Sequence, residues 1–187
     1  MTLSRIVPLL LATWLGLLVI AVPADAARSN RFASCRKAET VPSKNNLRGV
    51  ERATLCLLNR ERKRRGMRAL QRDRRLARAA DRHISDMVRH RYFGHDSRNG
   101  RSFSDRIRAA GYLPRVGRWT VGENLAWGSG SQGTAAQIVK AWMSSPGHRA
   151  NILNRRFREI GIGLILGSPR GGDGATYATE FGAISGL

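Results

Sequence analysis

Three side chains have the types and settings that could do chemistry. His95 lies in Tyr92-Phe-Gly-His-Asp-Ser97 and His148 in Ser144-Ser-Pro-Gly-His-Arg149, both rich in turn formers. Loops held by a rigid scaffold are where binding and catalytic groups concentrate. Glu123 lies in Val121-Gly-Glu-Asn-Leu-Ala126, an acid in an otherwise apolar strand pattern. An acid placed there must be paired, hydrogen-bonded or turned to a cavity. These residue types could form one three-residue cluster. The three are far apart in sequence, so spacing alone does not establish a site, unlike a His-x-x-x-His pair on one helix.

The other two histidines have structural readings. His83 sits near the apolar stripe of a helix and reads as a satisfied core histidine. His90 ends the same helix, where the dipole favours a cation. Ser97, Ser102, Ser144 and Ser145 sit in no nucleophile-elbow motif.

The elements that must carry these residues are legible from periodicity. A helix is predicted from Leu47 to Arg65, with Val50, Thr54, Leu57 and Leu58 on one face and Gly66 as its stop. The run Arg60-Glu-Arg-Lys-Arg-Arg65 sets cations where a helix C-terminus favours them. Asp73 is expected to cap a second helix with the stripe Leu76, Ala80, His83, Ile84, Met87 and Val88. Ser102-x-x-Asp105 resembles a capping box for a short third helix, which carries Phe103 and Ile107 inward and stops at Gly111. Trp119 to Ala126 reads as a strand and Thr134 to Trp142 as a helix that ends before Pro146. Glu159 to Leu166 reads as a buried strand with Ile160, Ile162 and Leu164 on one face. A Gly-rich loop, Gly167 to Gly174, leads to a last strand from Thr176 to Phe181. The predicted class is α+β, a small antiparallel sheet between helical layers.

The start of the chain reads as an export signal, residues 1–26. Arg5 precedes an uncharged, mostly apolar run from Ile6 to Val22, and Ala24-Asp-Ala26 offers a cleavage site. That run is about 17 residues, at the lower limit for a membrane span, so an uncleaved anchor is the alternative. Either way the domain is expected outside the cytoplasm. Residues 27–46 read as an irregular linker, and 47–187 as one domain. Cys35 and Cys56 are the two cysteines, an even count that suggests a disulfide in an exported protein.

The formal net charge is +20, from 29 arginines and 4 lysines against 13 acids, and loss of residues 1–26 leaves it unchanged. Such a field draws anionic envelope polymers or lipid head groups. Arginine bias spread over solvated helix faces is the plainer reading. Nucleic acid is the least expected partner, because no recognition motif is present and aromatics make up only 6%.

Seven ordered blocks carry a more specific signal. They are Leu57-Leu-Asn-Arg-Glu-Arg62, Phe93-Gly-His-Asp-Ser97 with Gly100-Arg-Ser102, and Asp105-Arg-Ile-Arg-Ala-Ala-Gly-Tyr112. Val121-Gly-Glu-Asn-Leu-Ala126, Ala141-Trp-Met-Ser-Ser-Pro-Gly-His-Arg-Ala-Asn-Ile-Leu153, Glu159-Ile-Gly-Ile-Gly163 and Ala178-Thr-Glu-Phe-Gly182 complete the set. Together they resemble the bacterial branch of the CAP superfamily, the cysteine-rich secretory, antigen 5 and pathogenesis-related proteins, across roughly residues 47–182.

The resemblance implies an α-β-α sandwich around a large cleft with two histidines and two acids, which in several members hold a divalent metal, often zinc. His95, Glu123 and His148 match three of the four. Ser145 stands where eukaryotic members carry the second glutamate, which puts metal affinity in doubt. Asn124 and Arg149 are expected to support the cleft, with Asn151 bracing the segment that presents His148. Gly122, Gly147, Gly161 and Gly163 are expected to permit close packing, and Trp127 and Trp142 to line core or cleft. Glu180 has no assigned role. The implied activities are extracellular binding of lipid, cell-wall polymer or another ligand, by a monomer; a zinc-dependent hydrolase is the alternative, and binding is favoured over catalysis.

Overall fold

Alternation in Glu159-Ile-Gly-Ile-Gly-Leu decides how the layers meet. A computed structural model describes residues 35–185, so the expected export segment lies outside the described residues. Within them the helices are α1 (Leu47–Lys63), α2 (Arg74–His90), α3 (Phe103–Ala109), α4 (Ala135–Ser144) and α5 (Pro146–Ile152). The strands are β1 (Gln71–Arg72), β2 (Arg118–Gly128), β3 (Glu159–Leu166) and β4 (Ala175–Ser185), in the order β1-β3-β4-β2. The three long strands are antiparallel, as expected, but β1 pairs with β3 in parallel, so the sheet is mixed.

On one face Ile160, Ile162, Leu164, Tyr177 and Phe181 pack against Val50, Leu57 and Leu58 of α1 and Ile138, Val139 and Trp142 of α4. The opposite face of β3 carries Gly161 and Gly163, so α2 rests on bare backbone. A Cβ on Gly161 would stand 2.0 Å from the Ala77 nitrogen, and one on Gly163 would stand 2.9 Å from the Ala80 carbonyl carbon. This contact fixes α2 about one turn before His83, and thereby sets where His83 meets the sheet. Gly122 is also closely packed, under Phe157 and Asn151, whereas Gly147 has open space around it. The close packing expected at Gly147 is therefore absent, because its helix stands clear of neighbours there.

Local signals account for the helix ends. The Asp73 side chain accepts from the Arg75 and Leu76 amides at the start of α2. Ser102 and Asp105 form a reciprocal capping box on α3, and Thr134 caps α4. α1 ends at Lys63; Gly66 follows in the left-handed region, at φ +63°, and the Met67 amide returns to the Arg62 carbonyl. Pro146 begins α5, its fixed φ suiting a first helical position. His148 is thus in a short helix and not in the turn predicted for it.

Two ties brace the first layer. Cys35 and Cys56 form a disulfide with Cα atoms 5.8 Å apart, joining the irregular segment to α1. Arg62 departs from the expectation that its run is a solvated helix end, being only 1% exposed. Its guanidinium donates to the carbonyls of Arg68, Ile152, Asn154 and Phe157 at 2.8–3.2 Å. It thereby satisfies the end of α5 and the approach to β3. Burial and the nearby Arg158 charge lower its pKa from the free value.

Candidate functional site

Register between the two longest strands places Glu123 directly opposite Glu180. Both side chains are fully buried, on the face of the sheet that α2 covers. Carboxylates facing each other at cross-strand distance repel, and the low dielectric sharpens the repulsion. Two features relieve it. Arg106 of α3, its side chain 9% exposed, donates from Nη2 to Glu123 Oε2 at 2.6 Å and stands 4.0 Å from Glu180 Oε1. The second feature is a retained proton. Burial, and then the Glu123 charge, push the Glu180 pKa well above the carboxylate range. Glu180 oxygens find no donor among the described residues. That is untenable for a buried carboxylate, whereas an uncharged acid is far less costly there. Burial would also raise Glu123, but the hydrogen bond from His95, the Arg106 charge and the Glu180 proton hold it low.

His95 completes the group from the loop after α2. Its Nδ1 donates to Glu123 Oε1 at 2.7 Å, while the side chain is 55% exposed. The bond to Glu123 raises its pKa against the opposing effect of burial. Arg106 also fixes this loop, since Nη1 donates to the carbonyls of His95 (2.8 Å) and Arg101 (3.3 Å) and to Ser97 Oγ (3.2 Å). One guanidinium thus positions both partners of the His95–Glu123 pair.

His83 forms the floor. Its Nε2 donates to the Gly94 carbonyl at 2.9 Å and lies 3.9 Å from Glu123 Oε2. Burial lowers its pKa and outweighs the attraction of Glu123, so it stays neutral. His83 is a buried core histidine, as expected, yet it also borders the site.

His148 comes to the other side of β2 on α5 and is half-buried. Burial lowers its pKa, and the charge of His95 lowers it further, which couples the two imidazoles. Asn124 and Asn151 clamp α5 to β2: Asn124 Nδ2 donates to the His148 carbonyl at 3.0 Å. Asn151 Nδ2 donates to the Glu123 carbonyl at 3.0 Å and to Asn124 Oδ1 at 2.9 Å. Ser145 precedes α5 without a side-chain capping bond, and Arg149 is exposed, lining a groove between α1 and α4. Trp142 is core, its Nε1 bonded to the Leu125 carbonyl, and Trp127 lies under the Arg170 guanidinium.

The structure therefore joins His95 to Glu123 directly, while His148 feels His95 only through the charge that lowers its pKa. Sequence reasoning missed Arg106 and Glu180. Both had a signal: Glu180 is an acid in an apolar strand, like Glu123, and Arg106 shares the inward stripe of Phe103, Ile107 and Ala110.

Glu123 does not fit the part of a direct metal ligand. Both Glu123 oxygens are committed, one to His95 and one to a permanent cation that a divalent ion would have to approach. Among the described residues, no three His, Cys, Asp or Glu side chains gather as a metal cage.

Comparison with known proteins agrees with this architecture. The profile of the cysteine-rich secretory protein family, CAP, matches residues 55–180. The chain is 35% identical over 143 residues to an uncharacterised Bacillus subtilis protein, YkwD, covering 76% of this chain and 50% of the relative. It is 33% identical over 114 residues to an uncharacterised membrane protein of the same organism, YlbC, covering 61% of this chain and 31% of that protein. The chain thus spans half or less of the curated relatives it matches. An extracellular SCP-domain protein from Bacillus anthracis superposes with a TM-score of 0.59 at 25% identity, over 75% of this chain and 43% of that one. An outer surface protein of Borrelia burgdorferi gives 0.61 at 19% identity, over 78% and 97%, a likeness of fold alone. With the sandwich, the matched profile and the B. subtilis relative in agreement, the chain belongs to the CAP (cysteine-rich secretory protein) family.

Proposed function

We propose that this chain is an exported, non-catalytic binding module that attaches to an anionic cell-wall polymer. The observation that carries the reading is the pairing of the site's buried carboxylate, Glu123, with two basic side chains. Glu123 is countered by Arg106 and by His95, and burial with the Glu123 charge favours the neutral form of Glu180. Glu123, bonded on both oxygens, is not the uncommitted carboxylate that could serve as a water-activating base. No free carboxylate is left at the Glu123 site, within a chain of net charge +20.

Export is supported by the disulfide, which suits an oxidising compartment, and by the extracellular relative from B. anthracis. Among the described residues no helix is long and apolar enough to cross a membrane.

The test is sedimentation of residues 27–187 with isolated bacterial cell walls, before and after removal of their phosphate polymers, and with anionic phospholipid vesicles. Retention on intact walls and release after stripping is the expected result. Equal retention on stripped walls, or preference for the vesicles, overturns the assignment.

A further inference from the structure

We propose that the cleft between α2, the 97–101 turn and α3 is a binding site for successive phosphate groups of a phosphodiester-linked polyol. The identity of the polymer rests on the envelope-binding reading above; the location of the site does not. The cleft encloses about 570 Å³ and is lined by Arg82 from α2, Arg98 and Arg101 from the turn, and Arg106 from α3. That volume exceeds what one phosphate fills and suits a segment of chain.

The charges there are unequal in what they leave available. Arg106 is spent on Glu123. Asp86, the only acid lining the cleft, already accepts from the Tyr92 hydroxyl and from His90 Nδ1. Arg82, Arg98 and Arg101 form no ion pair with a carboxylate among the described residues. Three arginines therefore line one cleft without an ion pair to a protein carboxylate among the described residues. Guanidinium is the side-chain group whose planar fork matches phosphate oxygens two at a time.

The site is also built before any ligand arrives. The Ser97 amide donates to the Arg101 carbonyl at 2.9 Å, and the Gly100 amide to the Ser97 carbonyl at 2.8 Å. Gly100 takes φ +78°, a conformation that lets the turn close tightly. Beneath it, Arg106 binds both ends of the turn, at Ser97 Oγ and the Arg101 carbonyl. The buried cation thus holds the loop that presents two exposed ones, so little ordering remains for binding to impose. Ser97 and Asn99 add neutral hydrogen-bonding groups at the rim, while Ala79 and Ala109 give small walls for the polyol between phosphates.

The experiment is calorimetric titration of the 27–187 domain with short poly(glycerol phosphate). The groove variant is Arg82→Gln/Arg98→Gln/Arg101→Gln. The charge-matched control is Arg48→Gln/Arg115→Gln/Arg155→Gln, whose side chains are exposed elsewhere. Melting curves show whether each variant folds, and amide shifts of Ser97 to Arg101 on adding inorganic phosphate give a second readout in the unmodified protein. Roughly tenfold or greater loss in the groove variant, with a much smaller loss in the control, is expected. Phosphate-induced shifts should centre on the turn. Equal losses in the two variants overturn the groove yet leave a diffuse electrostatic envelope role intact. No binding of the polymer by the wild type overturns the groove and the polymer reading together.

Discussion

The Arg106 guanidinium lies within reach of two carboxyl groups that β2 and β4 set face to face, 2.6 Å from Glu123 Oε2 and 4.0 Å from Glu180 Oε1. Its other nitrogen holds the loop that carries His95. Removing this cation leaves a buried carboxylate uncompensated, which typically costs about 3–5 kcal/mol. Arg106→Gln should lower stability by that order in denaturant melts. Arg106→Met combined with Glu123→Gln should recover a substantial part, because the orphaned charge is gone. If the double variant is no better than the single one, the charge account of Arg106 fails.

Glu180 and Glu123 are chemically alike but should respond differently to the same change. Burial and the Glu123 charge favour the neutral form of Glu180, so the equally neutral Glu180→Gln should shift stability by less than about 1 kcal/mol. Glu123→Gln removes the charge and one of the two acceptor oxygens that His95 and Arg106 use, and should cost several times more. Equal effects in thermal melts would contradict the assignment of one charged and one neutral acid.

The His95–Glu123 bond has a defined pH signature. The His95 pKa is raised above its ordinary 6.5, so its contribution is fully present below that value and fades as pH rises through the elevated one. Glu123 is held below its ordinary 4.5, so its contribution is present above 4.5 and is lost as pH falls through the depressed value. Stability from this pair should therefore peak between the carboxylate and imidazole ranges. NMR titration should show His95 ionising later than a free imidazole, and His95→Ala should remove the alkaline limb of the stability profile.

Local chemistry was readable from the residues; distant pairing was not. Asp73 and the Ser102–Asp105 box mark helix starts through bonds that span two or three residues, so sequence alone places them. Ile160, Ile162 and Leu164 announce a buried face through alternation. Arg62 shows the limit: a basic run at a helix end looks solvated, and only the return of residues 152–157 supplies the carbonyls that bury it. The two-residue β1 has no periodicity to detect, and its pairing depends on β3, far along the chain. Glu180 was visible as an acid in an apolar strand, but its partner depends on register.

Two glycines that look alike in sequence should behave oppositely. Gly161→Ala drives a methyl into the backbone of α2 at Ala77, and overpacking of this kind costs about 1–3 kcal/mol or more. Gly147→Ala meets open space within a helix and should gain up to about 1 kcal/mol. Chemical denaturation of both variants checks the pair, and a harmless Gly161→Ala would contradict the packing of α2 on bare β3.

The most direct test of the envelope-binding role is the affinity of the mature domain for phosphate-bearing cell walls across a salt series. Screening lengths fall from about 10 Å at 0.1 M salt to about 3 Å at 1 M, so an attraction carried by guanidinium groups must weaken steeply. Affinity that drops continuously over this range, together with loss of binding when the wall phosphate is removed, is the expected result. Binding that stays constant from low to high salt would contradict it.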